Sequence, residues 1–424
     1  MRRVVMLVLT LVLGAGVSGA LGPVPAARGE PAATPVAPPD TPVGRQLTWV
    51  LAVLGNDRAE LTAATVTERI APSFLASLPA AAAVAGTTAF VTADGPIVFN
   101  GLVRAPTETQ AVAVLTGRSG SRYVAVVTVE RATPHRLTNL LVLPAPPTLM
   151  PHADDPRGGL VDVGGRRLYL WCTGPDAGAG GPTVVLEAGL GNDSMVWLAV
   201  QSGVPAGTRV CSYDRANAPG GTSDPAPTPR TTADAVADLR LLLAAADVPG
   251  PYLLVGHSLG GHIVRLSASE YPAAVAGLVL VDASHEDQDA RTRALVGPNL
   301  WAALVAQGAG IADPEGFDLE ARAAQVRAAR AAAPLPPLPL VVLAHGLPPD
   351  QADLPPTWPI AADEALWRAL QADLAGLTPG GRLVVADRSG HFVQHDQPEL
   401  VLAAVAEVLA GIPGFRASPP AADA

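Results

Sequence analysis

The sequence predicts an α/β fold with a mostly parallel eight-stranded sheet, preceded by a smaller α+β unit. Three observations predict it. From Leu160 onward, eight short apolar runs alternate with helical ones; between Thr41 and Pro147, helical runs come first and strand-like runs afterwards. Residues 251 to 261 read as an apolar strand entering Gly256-His257-Ser258-Leu259-Gly260, with helix-forming sequence directly behind. Strands alternating with helices need crossover connections and so pair in parallel, whereas helices followed by strands give an antiparallel sheet. The 424 residues leave room for both units.

The chain starts with Met1-Arg2-Arg3, an apolar run from Val4 to Leu13 and small residues through Ala20. This is the charged, apolar and small-residue order of a secretory signal, expected over residues 1 to 20, and it implies a secreted or cell-envelope protein. An uncleaved anchor is the alternative, since the apolar run could stretch to Leu21, but its Gly, Ser and Ala content makes it a poor membrane span, and no stable span is expected after cleavage. Residues 21 to 40 are Pro/Ala-rich with no apolar period and read as a disordered linker.

The α+β unit is expected over 41 to 147. Helices are predicted over Gln46 to Leu54, near Glu60 to Ile70 and near Ser73 to Leu78. Strands are predicted at Thr88 to Thr92, Ile97 to Val103, Gln110 to Leu115, Arg122 to Val129 and Leu137 to Leu143. A second Pro-rich stretch marks a linker over 148 to 157.

In the larger unit, 158 to 413, strands are predicted at Leu160 to Val163, Arg167 to Cys172, Thr183 to Glu187, Arg209 to Tyr213, Tyr252 to Val255, Gly277 to Val281, Leu340 to Leu343 and Arg382 to Ala386. The main intervening helices are Thr231 to Ala245, Leu259 to Glu270, Glu364 to Leu374 and Pro398 to Ala410. The Ala-rich stretch from about 285 to 335 reads as a helical cap, and 414 to 424 as a tail.

Composition removes several chemistries. The chain contains no lysine, so Schiff bases, the P-loop lysine and serine/lysine dyads are excluded. A net charge of -10, made more negative if Arg2 and Arg3 leave with the signal, argues against nucleic acid as a partner. Two cysteines cannot build a four-cysteine zinc site, and His391 and His395, four apart, lack the glutamate of a metalloprotease helix, so no metal is expected.

The strand, turn and helix at 251 to 261 is what a nucleophilic serine needs. A sharp turn would hold Ser258 at strained dihedrals, with Gly256 and Gly260 present because a Cβ at either would collide with its neighbours. The serine hydroxyl needs a base, which Arg388-Ser389-Gly390-His391-Phe392 supplies after the last strand. The oxyanion formed on attack needs two N–H donors: Leu259 after the elbow, and Leu190 in the Glu187-Ala188-Gly189-Leu190-Gly191 turn after the third strand.

Together with Ser212-Tyr213-Asp214-Arg215, Val281-Asp282-Ala283 and Ser389-Gly390-His391, these segments resemble the α/β-hydrolase fold, in particular its small bacterial esterase-like members, over about 158 to 413. The resemblance implies a Ser, Asp and His triad, an acyl-enzyme and hydrolysis of a carboxylic ester on a small-molecule acyl substrate, without cofactor. It also puts the second and fourth strands side by side, which would bring Cys172 near Cys211 for a disulfide. After Asp214-Arg215 the family usually has a Gly-aromatic-Gly turn, absent here, so the substrate is not carried over. The triad acid has two candidates, Asp350 in the loop after the seventh strand and Asp282 at the rigid end of the sixth; Asp282 is preferred.

In the first unit, Thr41-Pro42-Val43-Gly44-Arg45-Gln46-Leu47 and Ile70-Ala71-Pro72-Ser73-Phe74-Leu75 resemble the ketosteroid-isomerase-like cone domains that precede hydrolases in some actinobacterial secreted proteins. Two other functions stay open beside the esterase: a cofactor-free perhydrolase or haloperoxidase using the same triad, and a non-catalytic protein that binds a small ligand.

Overall fold

Thr41 starts the first helix by accepting a hydrogen bond from Gly44 N at 3.1 Å, with Pro42 in the first turn, where its missing N–H costs nothing. The computed structural model describes residues 37–145 and 158–413, apart from 56–57, 77, 105, 176–180, 206, 309–312 and 314. The expected signal, the linker up to residue 36, the linker at 148 to 157 and the tail fall outside the described residues, although 413 itself is described. The chain forms two compact units, one ending before residue 156 and one beginning there.

The first unit carries α1 (Pro42–Leu54), α2 (Ala63–Arg69), α3 (Pro72–Leu75) and α4 (Ala80–Asp94), then strands β1 (Val98–Leu102), β2 (Gln110–Thr116), β3 (Arg122–Val129) and β4 (Leu137–Pro144). The strands form an antiparallel sheet in sequence order. Val43, Leu47, Val50 and Leu54 make one stripe on α1 and are buried with Ala113, Leu115, Ala125 and Val127 of the sheet.

The strand expected at Thr88 to Thr92 is wrong. Those residues lie inside α4, where the alanines from Ala80 onward favour helix over the local β preference of Thr and Val, and the Thr88 hydroxyl is satisfied within the helix by Val84 O at 2.7 Å. The helix stops only at Gly95-Pro96, where proline cannot continue it.

The second unit is an eight-stranded sheet of β5 (Gly158–Asp162), β6 (Arg167–Thr173), β7 (Thr183–Glu187), β8 (Val210–Tyr213), β9 (Tyr252–His257), β10 (Val275–Val281), β11 (Leu340–His345) and β12 (Arg382–Ala386). The order across the sheet is β12-β11-β10-β9-β7-β8-β6-β5. β6 runs antiparallel to both its neighbours, and all the other pairs are parallel.

Helices α5 (Leu198–Gly203), α6 (Thr232–Ala245), α7 (Gly260–Glu270), α8 (Gln288–Gly308), α9 (Leu319–Ala332), α10 (Ile360–Ala375), α11 (Val393–Asp396) and α12 (Pro398–Gly411) lie between or after the strands. Alternate residues of each strand feed opposite cores. Leu278 and Leu280 of β10 pack with Leu242 of α6 and Val264 of α7, while Val279 and Val281 pack with Val401, Val405 and Val408 of α12. A sheet buried on both faces accounts for the continuous apolar runs in its strands.

Cys172 of β6 and Cys211 of β8 are directly opposed in the ladder and joined by a disulfide, with Cα atoms 4.0 Å apart. The stretch expected to form a cap contains α8 and α9. Gly297, at φ 79°, breaks α8 just before Pro298, and Asp318 caps α9 by accepting from Glu320 N and Ala321 N. Among the described residues, no helix is long and apolar enough to cross a membrane.

Candidate active site

β9 ends at His257 and α7 begins at Gly260, and Ser258 between them has φ 51°, a left-handed conformation costly for a residue with a Cβ. The surroundings hold it there. Ser258 N donates to Val281 O at 3.2 Å, and Ser258 O accepts from Gly261 N at 2.9 Å and Ser284 N at 3.0 Å. A Cβ on Gly256 would lie 2.6 Å from Gly260 O, and one on Gly260 would lie 2.5 Å from Glu187 O, so neither position admits a side chain without moving backbone. The turn leaves Ser258 partly exposed at the carboxyl end of the sheet.

Val281 pairs with His257 in the ladder, so Asp282 leaves β10 beside the elbow. The structure brings Asp282 and His391 together: His391 Nδ1 lies 2.7 Å from Asp282 Oδ2. An ionised carboxylate only accepts, so Nδ1 carries the proton and Nε2 is left as the basic nitrogen. Burial of Asp282 would raise its pKa, but hydrogen bonds from His345 and His391 outweigh it and hold the carboxyl well below the usual range. Asp350, the other candidate, is exposed and caps the short turn Gln351–Asp353, accepting from Ala352 N at 2.9 Å.

His257, ahead of the serine, is fully buried. Burial pushes its pKa well below the ordinary value, so it is neutral and its Nε2–H donates to His391 O at 2.9 Å. That bond fixes the backbone carrying the His391 ring.

On the other side of Ser258 lies the turn after β7. A Cβ on Gly189 would stand 3.2 Å from Ser258 Cβ, so the turn lies against the elbow. Among the described residues, the N–H groups of Leu190 and Leu259 have no acceptor, whereas Gly191 N donates to Glu315 Oε1 at 2.7 Å.

Buried Arg215 clamps this turn. Its guanidinium donates to Ala188 O and Gly189 O, each at 2.6 Å, and pairs with Glu187 and with Glu315 of the segment before α9. Tyr213 donates its hydroxyl to Glu187. The two carboxylates on one guanidinium are what allow three charges to be buried together.

A cavity of about 360 Å³ opens from His391 and Asp282 between α8, the loop after β11 and α10. Trp301, Leu304, Trp358 and Trp367 line it, together with the carboxylates of Asp289, Asp363 and Glu364.

The model of the α/β hydrolase family matches residues 184–404. The chain belongs to the α/β hydrolase family. As an α/β hydrolase it is 29% identical to the uncharacterised YqjL of Bacillus subtilis over 242 residues, covering 54% of this chain and 85% of that one. It is 39% identical over 103 residues to RutD of Klebsiella pneumoniae, a protein named for carbamate hydrolysis, covering 24% of this chain and 38% of RutD. Matches to other curated relatives cover between 14% and 49% of their lengths. A thermophilic esterase structure from Thermogutta terrifontis is 22% identical, covers 60% of this chain and 98% of its own, and has a TM-score of 0.42. Residues 38–133 match the amino-terminal family of the ORF 12 gene product. The likeness of that unit to ketosteroid-isomerase cones rests on the two segments quoted above.

Sequence reasoning missed the residues behind Asp282 in this α/β hydrolase. His345 ends β11, and Glu364 and Trp367, three apart on one face of α10, lie beside it. The sequence holds a histidine at the strand's end and a Glu-x-x-Trp spacing on the next helix, but nothing local links either to Asp282.

Proposed function

We propose that this protein is an exported serine hydrolase that cleaves a carboxylic ester or related acyl bond through an acyl-enzyme on Ser258. The observation that carries the reading is the 2.7 Å contact of Asp282 with His391 Nδ1, which leaves His391 Nε2 as a base on a loop tied to the elbow by His257. In this reading His391 takes the Ser258 proton as Oγ attacks the acyl carbon. The oxyanion is met by the N–H groups of Leu259 and Leu190, and the proton passes to the leaving alcohol as the C–O bond breaks. Water, deprotonated by the same histidine, then attacks the acyl carbon; the bond to Ser258 Oγ breaks, Oγ takes the proton from His391 and the acid leaves.

Among the described residues, the cavity beside His391 is lined by the four carboxylates Asp282, Asp289, Asp363 and Glu364 against the two histidines His345 and His391, with no arginine, which favours neutral or cationic substrates over anionic ones. RutD's name concerns a carbamate, an acyl bond within the same chemistry. Export is supported by the signal-like pattern of Met1 to Ala20 and by a disulfide, a bond that persists in oxidising compartments.

Incubating the purified protein with short and medium p-nitrophenyl esters tests the reading. Turnover is expected, with a fall of at least about 10³-fold in Ser258→Ala. Full activity in that variant would remove Ser258 from the chemistry. No turnover by the wild type, with a small apolar ligand still bound, would favour the binding function, and peroxide-dependent turnover alone the perhydrolase.

A further inference from the structure

The acid behind His391 does not stand alone. Asp282 also accepts from His345, whose Nδ1 lies 2.9 Å from Oδ1 and 2.8 Å from Oδ2, and whose backbone N–H reaches Oδ1 at 2.9 Å. The other ring nitrogen, Nε2, faces both carboxylate oxygens of Glu364, at 3.2 and 3.3 Å. A neutral imidazole has one N–H, but here both nitrogens face groups that can only accept, so the ring carries both protons and a positive charge. Trp367 stacks on His345 with ring centres 5.5 Å apart and donates its indole N–H to Asp282 Oδ1 at 3.0 Å.

We propose that His345 is a positioning residue: an imidazolium held between Asp282 and Glu364 that fixes the carboxylate behind His391. This deepens the triad reading and rests on it.

His345 and His391 both bind Asp282 Oδ2, so their nitrogens are at most about 5.5 Å apart and the carboxylate is held from two sides. The other ionisable groups around His345 are Glu364 and Asp363 of α10 and Asp289 of α8, all lining the same cavity. Burial would lower the His345 pKa, but Asp282 and then Glu364 outweigh it and push it up to about 9, so the cation persists through neutral pH. The strand after which most of the fold family places its acid thus ends here in a cation that faces an acid placed after the sixth strand.

The test uses His345→Gln, whose amide still reaches Asp282 without charge, and Glu364→Gln, each in the full-length protein. Two readouts are followed: kcat and KM on p-nitrophenyl acetate taken separately, and the NMR titration of the His345 ring, assigned by its loss in His345→Gln. In His345→Gln kcat is expected to fall about 10- to 100-fold with KM little changed. In the wild type the His345 ring is expected to stay protonated up to about pH 9. An unchanged kcat in a folded His345→Gln protein, or a wild-type His345 ring that is neutral at pH 7, overturns the proposal.

If that variant does not fold, Glu364→Gln decides. The His345 midpoint is expected to fall from about 9, and one that stays put shows that Glu364 does not sustain the charge. The NMR arm needs no turnover. An inactive wild type would therefore count against the triad reading while leaving His345 separately tested.

Discussion

At the residue scale, the position of the acid is the finest choice the sequence posed. Asp350 followed the seventh strand, where most α/β hydrolases carry their acid, and Asp282 followed the sixth. Rigidity favoured Asp282, and the structure puts it, fully buried, against His391 while Asp350 caps an exposed turn. Asp282→Asn is expected to lower kcat by about 10⁴, because an amide that donates toward Nδ1 forces the wrong tautomer on His391. Asp350→Asn should leave it near wild type. Steady-state kinetics of the two variants checks this, and the reverse ranking would move the acid to the seventh-strand loop.

The elbow and the His391 loop were legible because each rests on local sequence, a glycine-flanked serine and a glycine before a histidine. His345 was not legible. Its role depends on Asp282 of a neighbouring strand and on Glu364 and Trp367 of the following helix, contacts that span 63, 19 and 22 positions and leave no local pattern.

At the element scale, strands with continuous apolar runs were read to within two residues at their ends, since burial on both faces leaves a plain signal. β9 and β11 extend past the expected Val255 and Leu343 to His257 and His345, because these polar residues still pair in the ladder. Thr88 to Thr92 shows the opposite failure, a short β-like run overruled by the alanines of the helix around it.

The antiparallel β6 beside β8 puts Cys172 directly across from Cys211, and closing a loop with a separation of 39 residues removes much of the freedom of the unfolded chain. Replacing both cysteines by serine is expected to cost about 3–4 kcal/mol, read as a lower denaturant midpoint with a steeper slope, since the unfolded chain then exposes more surface. A midpoint equal to wild type would mean the ladder alone holds that edge of the sheet.

At the scale of the whole molecule, the proposed chemistry lies in one unit. Ser258, His391, Asp282, Leu190, Leu259, the cavity and the His345–Glu364 pair all belong to residues 158–413, and the sheet there is buried on both faces by that unit's own helices. The first unit closes its own core between α1 and its antiparallel sheet. Two separately closed cores imply two separately folding units. A chain of residues 158 to 413 is therefore expected to fold cooperatively and to hydrolyse p-nitrophenyl acetate with a kcat/KM within a few-fold of the full-length protein. Circular dichroism and the ester assay on the two proteins side by side check this. A truncated chain that folds but hydrolyses at least tenfold more slowly would show that the first unit acts on the site, and one that does not fold would show that the larger core depends on the smaller.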